Sequence, residues 1–201
     1  MTIDIDLNNV TVPFDWPRIF GVGGPVHIEI GSGKGRFLLK LAAERPDISF
    51  LAVERAGKYH KLVCDKAERR GLKNVRLLRT TAEDLLFRLL PPCTVDALYV
   101  LFPDPWPKKR HHKRRLFSAE VTEVMVRCLK PGAPLLVKSD HPAYAEVIQE
   151  VLNQTQGLKH IDPEEAFSSL PLTGFESKYV REGRTIHAFA LVKVLGRTTE
   201  S

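Results

Sequence analysis

Val26-His-Ile-Glu-Ile-Gly-Ser-Gly-Lys-Gly-Arg-Phe-Leu38 is the stretch that decides how this chain folds. Val26, Ile28 and Ile30 alternate with polar residues, which is the period of a strand, while Phe37, Leu38, Leu41 and Ala42 recur at the period of a helix. Gly31, Gly33 and Gly35 stand between them. A strand, a glycine turn and a helix in that order bring bare backbone N–H groups and a helix N-terminus close to a ligand. Spacing separates the ligand classes that use such turns. A Walker loop needs a glycine five residues before its Gly-Lys pair and Ser or Thr after it, but here Ile28 and Gly35 occupy those places. The dinucleotide fingerprint G-x-G-x-x-G has its third glycine one residue later than Gly35.

Outward from the turn, strands and helices alternate. The first helix runs to about Arg45, and the nearly all-apolar Ser49–Val53 reads as a buried parallel strand ending at Glu54. A helix is expected from Lys58 to Arg70, closed by Gly71, then a strand at Val75–Leu78 and a helix over Ala82–Leu90, closed by Pro91-Pro92. Val95–Phe102 is the fourth strand, and 103–115 a proline-rich basic loop. A helix from Ser118 to Lys130, a strand at Ala133–Lys138 and a helix over His141–Leu152 follow. The segment 155–195 is read as a loop closed by a strand at Ile186–Val194. Residues 1–25, with three prolines and three glycines, form an irregular lead-in whose Phe14, Trp16 and Phe20 pack on the domain; 26–201 is one domain. The pattern predicts an α/β, doubly wound, mostly parallel Rossmann-like sheet with an antiparallel C-terminal strand. Ligands in such sheets sit beyond the carboxyl ends of the strands. The glycine turn, Glu54, Thr81, the Pro103–Trp106 loop and Asp140 should therefore face one cleft.

Composition removes other classes. The chain has 201 residues, 43% of them hydrophobic, enough for one cored domain. No apolar run reaches about 18 residues, so no membrane span is expected. Met1–Asp6 lacks the basic and apolar regions of a signal peptide. Cys64, Cys93 and Cys128 fit neither a disulfide framework nor a zinc site, and no metal-ligand cluster is evident; a reducing cytoplasm follows. Thirty Lys and Arg against 24 acidic residues give a net charge of +6, and the placement of that excess carries the information.

Glu54 lies 21 residues after Gly33, where a carboxylate accepts both hydroxyls of a ribose; this supports a nucleoside without choosing between NAD and S-adenosylmethionine. Glu29 interrupts an apolar strand, and a buried carboxylate must be paired or bound. It either meets a ligand's amino group or hydrogen-bonds the turn itself. The densest stretch is Leu101-Phe-Pro-Asp-Pro-Trp-Pro-Lys-Lys-Arg-His-His-Lys-Arg-Arg-Leu116. Asp104 sits between two prolines that stiffen the backbone, Trp106 offers an aromatic face, and six of the eight residues 108–115 are Lys or Arg. Cations beside an aromatic suit a phosphate backbone and an unstacked base.

The turn Glu29-Ile-Gly-Ser-Gly-Lys-Gly35 resembles the first motif of the Rossmann-like S-adenosylmethionine-dependent methyltransferases. Phe102–Arg115 looks like the signature of the bacterial tRNA (guanine-N7)-methyltransferases, and Lys138-Ser-Asp140 and Thr173-Gly-Phe-Glu176 extend the resemblance over residues 20–194. The resemblance implies methyl transfer from S-adenosylmethionine to N7 of a guanine in the tRNA variable loop, position 46, by a monomer or homodimer without an obligate protein partner. By it, Glu29, Gly31, Gly33, Glu54, Thr81 and Asp104 line the cofactor site, and Asp104 is the catalytic candidate. Lys108, Asp140, Thr173, Gly174, Phe175 and Glu176 contact the substrate, and Lys109, Arg110, His111, His112, Lys113, Arg114 and Arg115 hold RNA. Two positions depart from the family: Thr81 stands where Asp is usual, so its hydroxyl meets an adenine edge without charge assistance, and Ser139 replaces Thr. Two competing readings are a same-fold methyltransferase for another RNA or a small molecule, and an RNA-binding protein without catalysis. The basic run beside the cleft disfavours the small molecule, and the carboxylates Glu29, Glu54 and Asp104 disfavour the loss of catalysis.

Overall fold

The alternating residues Val26–Ile30 form β1 and the apolar run Ser49–Val53 forms β2, paired in parallel with Ile30 opposite Val53. α2 (Arg36–Glu44) makes the crossover and turns Phe37, Leu38, Leu41 and Ala42 inward. β3 (Val75–Leu78) lies beyond β2, whereas β4 (Ala97–Leu101) lies on the other side of β1. The strand order thus reverses between β1 and β4, which opens a crevice above their carboxyl ends. β5 (Pro134–Ser139) runs parallel to β4. β7 (His187–Lys193) inserts antiparallel between β5 and the edge strand β6 (Leu158–His160), completing the order β3-β2-β1-β4-β5-β7-β6. This computed structural model describes residues 2–195; the remainder of the expected 26–201 domain lies outside the described residues.

β2, β3 and β4 are buried along their whole length, as strands covered by helices on both faces must be. α2 and α3 (Gly57–Arg69) cover one face through Phe37, Leu38, Val63 and Ala67. α4 (Ala82–Asp84), α5 (Ala119–Cys128) and α6 (Pro142–Gln154) belong to the other face, where Leu89, Met125 and Ile148 share a core with Phe14, Trp16 and Phe20 of the lead-in. No helix among the described residues is long and apolar enough to cross a membrane.

Several expected elements differ. The lead-in contains a helix, α1 (Trp16–Phe20), started by Asp15 accepting from the Arg18 amide, and its backbone extends the sheet edge through Ile5 N–H to Leu77 O at 2.8 Å. The expected 82–90 helix becomes a π turn over Leu85–Leu89, a wider winding that buries Leu85, Leu86 and Leu89 together. The basic loop winds into a 3-10 turn at Lys109–Arg114. The segment read as loop contains β6 and two short helices, α7 (Pro163–Phe167) and α8 (Gly174–Arg181). β6 is short and mostly exposed, so it carries no apolar alternation. The start of α8 was readable: Thr173 and Glu176 form a reciprocal capping box, the Ser/Thr-x-x-Glu helix start.

Candidate active site

The turn between β1 and α2 has positive φ at all three glycines, +80° at Gly31, +52° at Gly33 and +70° at Gly35. Their surroundings differ. A Cβ at Gly31 would meet nothing and one at Gly33 only Phe175, at 3.9 Å; at Gly35 it would strike Val63 at 2.7 Å. The first two glycines thus keep the cleft floor low, and the third lets α2 close on α3. The expected bare amides are a correction. Gly31 and Ser32 donate to Val53 O at 2.8 and 3.1 Å, Gly33 donates to Glu54 Oε2 at 2.9 Å, and Gly35 donates to Ser32 O at 2.8 Å. The end of β2, one strand away, takes up the first three donors, and the fourth closes within the turn.

Glu29 is buried at 3% exposure, and its Oε2 has no partner among the described residues. Burial raises its pKa to about 8, opposed by the Leu38 backbone amide and reinforced by the Glu54 carboxylate. The hydroxyl of Ser32, missed in the sequence, is a second buried and unpartnered polar atom in the turn. Glu54 accepts from the Gly33 and Ala56 amides at 2.9 and 2.7 Å. A carboxylate has roughly four lone-pair sites, so about two remain for hydroxyls. Thr81 Oγ1 accepts from the Asp84 amide at 3.1 Å as the cap of α4, which leaves its O–H free to donate. Glu54, Thr81 and Asp104 line one cleft of about 760 Å³ with Gly31, Gly33 and Trp106. Glu29 lines an adjoining cleft of about 530 Å³, and Phe175 belongs to both.

Asp104 emerges from the end of β4 and is exposed on the cleft rim, without a hydrogen bond or ion pair among the described residues. The backbone beside it is sharply bent: Phe102 and Trp106 have φ of +61° and +42°, rare for bulky residues. The Arg114 guanidinium lies 5.0 Å over the Trp106 ring, and His111 meets the ring edge at 5.7 Å. Lys108, Lys109, Arg110, His112, Lys113 and Arg114 are exposed. Arg115 differs, because its Nε donates to Pro105 O at 2.9 Å and its guanidinium covers Tyr144 at 4.9 Å. It fastens the proline loop to α6.

The substrate residues implied by resemblance divide. Phe175 is 50% exposed, and Gly174 is exposed at the start of α8. Thr173 and Glu176 are buried; Glu176 caps α8 and forms an ion pair with buried Lys138, whose ammonium sits 4.1 Å from the Phe167 ring. Asp140 is absent from the cleft lining, which corrects the expectation that five groups share it: Arg184 holds its Oδ2 at 3.0 Å. The structure also assembles Asp4, His60 and Cys64, with their ligand atoms within 4.8 Å of one another, where no metal-ligand cluster was evident in the sequence. The His60–Asp4 contact at 3.1 Å joins the N-terminal segment to α3.

A family model described as "Putative methyltransferase" matches residues 23–189. A tRNA (guanine-N(7)-)-methyltransferase of Syntrophotalea carbinolica is 34% identical over 87% of this chain and 77% of its own length. One of Nitrosococcus oceani is 38% identical over 90% of this chain and 76% of its own. This chain belongs to the tRNA (guanine-N7)-methyltransferase family. Among solved structures, a 16S rRNA (adenine(1408)-N(1))-methyltransferase with its cosubstrate SAM, from Catenulisporales acidiphilia, superposes with a TM-score of 0.58 at 19% identity, covering 90% of this chain and 91% of that one. That likeness is one of fold: the family's doubly wound sheet is shared well beyond the family's own sequences.

Proposed function

We propose that this protein transfers the methyl group of S-adenosylmethionine to N7 of a guanine in the variable loop of tRNA. The observation that carries the reading is Glu29, an enclosed carboxylate with one oxygen unpartnered among the described residues, beside a turn in which the amides of Gly31, Ser32, Gly33 and Gly35 are already engaged. A dinucleotide pyrophosphate needs free turn amides and no carboxylate beside them. An amino-acid ammonium needs the reverse. The residues present therefore fit a methionine-bearing nucleoside: Glu29 takes its ammonium, with Ser32 beside it, Glu54 its ribose hydroxyls, and the Thr81 O–H its adenine edge. When bound, S-adenosylmethionine supplies a methyl group on a sulfonium, an electrophile.

Guanine N7 is an in-plane acceptor with a free lone pair, so no base has to remove a proton first. The side chains have then mainly to hold the base in line and exclude water. Asp104 carries an unengaged carboxylate at the cleft rim and stabilises the positive charge that develops on the base. Trp106 and Phe175 supply aromatic faces, Lys108 to Arg114 supply cations for the RNA backbone, and Arg115 positions the loop. Thr173, Glu176 and Asp140 act by holding α8 and the Arg184 segment in place. The three free cysteines and a tRNA substrate suit the cytoplasm. Incubation with unmodified tRNA and methyl-labelled cofactor, followed by mapping of the labelled nucleotide, tests the reading. Label on N7 of a variable-loop guanine is expected; label on another atom or another RNA, or none, rejects it.

A further inference from the structure

A second concentration of positive charge stands across Phe175 from the 109–114 turn. Lys34 and Arg36, at the start of α2, meet Lys66 and Arg70, from the end of α3, around the adjoining cleft of about 530 Å³. The pairs are some thirty residues apart in sequence, and the i,i+4 spacing of Lys66 and Arg70 puts both on one side of α3. Two outward lysines on these helices have counter-charges, Lys40 with Glu44 and Lys61 with Asp65, whereas exposed Lys58 of α3 has none among the described residues. Lys34, Arg36, Lys66 and Arg70 have no such pair among the described residues. Lys66 donates to Lys34 O at 2.7 Å, which fixes its ammonium over the turn; burial first, then Arg70, Lys34 and Arg69, press its pKa down. Glu29 and Ser32 lie buried at the floor of the same cleft, where the cofactor's ammonium is placed above, and the four unneutralised cations around its mouth raise a local field that an anion relieves. Tyr59 and Phe175, 38% and 50% exposed, stand where the two clefts meet and offer faces to an unstacked base.

We propose that this α2–α3 groove binds a second stretch of the tRNA phosphate backbone, so that the RNA straddles Phe175 with one stretch on the 109–114 turn and another on Lys34, Arg36 and Arg70. The proposal rests on the reading of the protein as a tRNA enzyme. It gives a role to four unpaired cations gathered at the mouth of one cleft.

The test is the triple variant Lys34→Gln/Arg36→Gln/Arg70→Gln. It removes three exposed charges and leaves Lys66, whose hydrogen bond holds the turn. tRNA affinity is measured over a salt series, and cofactor affinity in parallel by calorimetry. Affinity for tRNA should fall about tenfold or more, and the slope of log affinity against log salt should flatten by about 0.7–0.9 for each phosphate that is no longer neutralised, up to about three of them. Cofactor affinity should stay at the parental value, and the weakening should add to that of Lys113→Gln/Arg114→Gln. A parental salt slope would overturn the proposal and leave the groove a solvated surface. Weakened cofactor binding with a parental slope would also overturn it, by assigning the cations to the methionine carboxylate. The parent protein's product separates this failure from that of the functional reading, since the groove can fail while tRNA is still methylated at N7.

Discussion

Single carboxylates decide the chemistry. Glu29 is held protonated up to about 8 against an ordinary value of 4.5, by burial above all. Between those values the native state binds more protons than the unfolded chain. The contribution of Glu29 to stability is therefore fully present below about 4.5 and is lost as pH rises through about 8. An ammonium ligand requires the ionised form, so cofactor binding at pH 7 should release a proton, and affinity should rise from pH 6 to pH 8. Glu29→Gln should abolish both effects. Calorimetry in buffers of different ionisation enthalpy measures the proton directly, and its absence in the parent would exclude the ammonium contact. Asp104, without a hydrogen bond or ion pair among the described residues, is expected to act on rate: Asp104→Asn should slow methyl transfer about a hundredfold to a thousandfold with tRNA affinity little changed. Single-turnover kinetics over a range of cofactor concentrations provides the check. A near-parental rate at saturation would make it a cofactor-binding residue.

At the scale of elements, helix starts and close packing divide the motif residues between fold and function. Glu176 both caps α8 and neutralises buried Lys138. Removing one partner of a buried pair leaves an uncompensated charge, and Glu176→Ala should cost about 3–5 kcal/mol. Urea unfolding measures this; parental stability with abolished activity would return Glu176 to the substrate. The glycines of the turn make a matched pair. Gly35→Ala drives a Cβ into Val63 and should destabilise the protein by about 1–3 kcal/mol, as overpacking does. Gly33→Ala, with only Phe175 near, should weaken cofactor binding relatively more than it weakens the fold. Comparing the two by calorimetry and denaturation shows whether the third glycine serves packing.

For the whole molecule, the lead-in and the sheet share one core. Phe14 and Trp16 pack edge to face at 5.5 Å, and Arg76 of β3 donates to Ile19 O at 2.9 Å with its guanidinium over Phe20. Ile3 and Ile5 pair with Leu77 along the outer edge of β3, covering hydrogen-bonding groups that would otherwise invite another strand. The chain should therefore unfold in a single transition whose van't Hoff and calorimetric enthalpies agree. Deleting residues 2–12 should lower its midpoint and promote association. A second transition in the parent would separate the lead-in from the domain.

Local pattern determined the order of the elements through β5, the place of the glycine turn, the identity of the basic loop and the strand-end position of Glu54. Each of these depends on neighbours a few residues apart, through side-chain period, backbone permissiveness or proline stiffness. The motif resemblance added the expected chemistry. The engagement of the turn amides, the departure of Asp140 to Arg184, the inward use of Glu176 and the grouping of Lys34 and Arg36 with Lys66 and Arg70 were decided only in three dimensions. The reason is common to all four. A hydrogen-bond donor, a carboxylate or a cation acts on whatever lies within a few ångströms, and here that neighbour is about twenty to forty-four residues away along the chain.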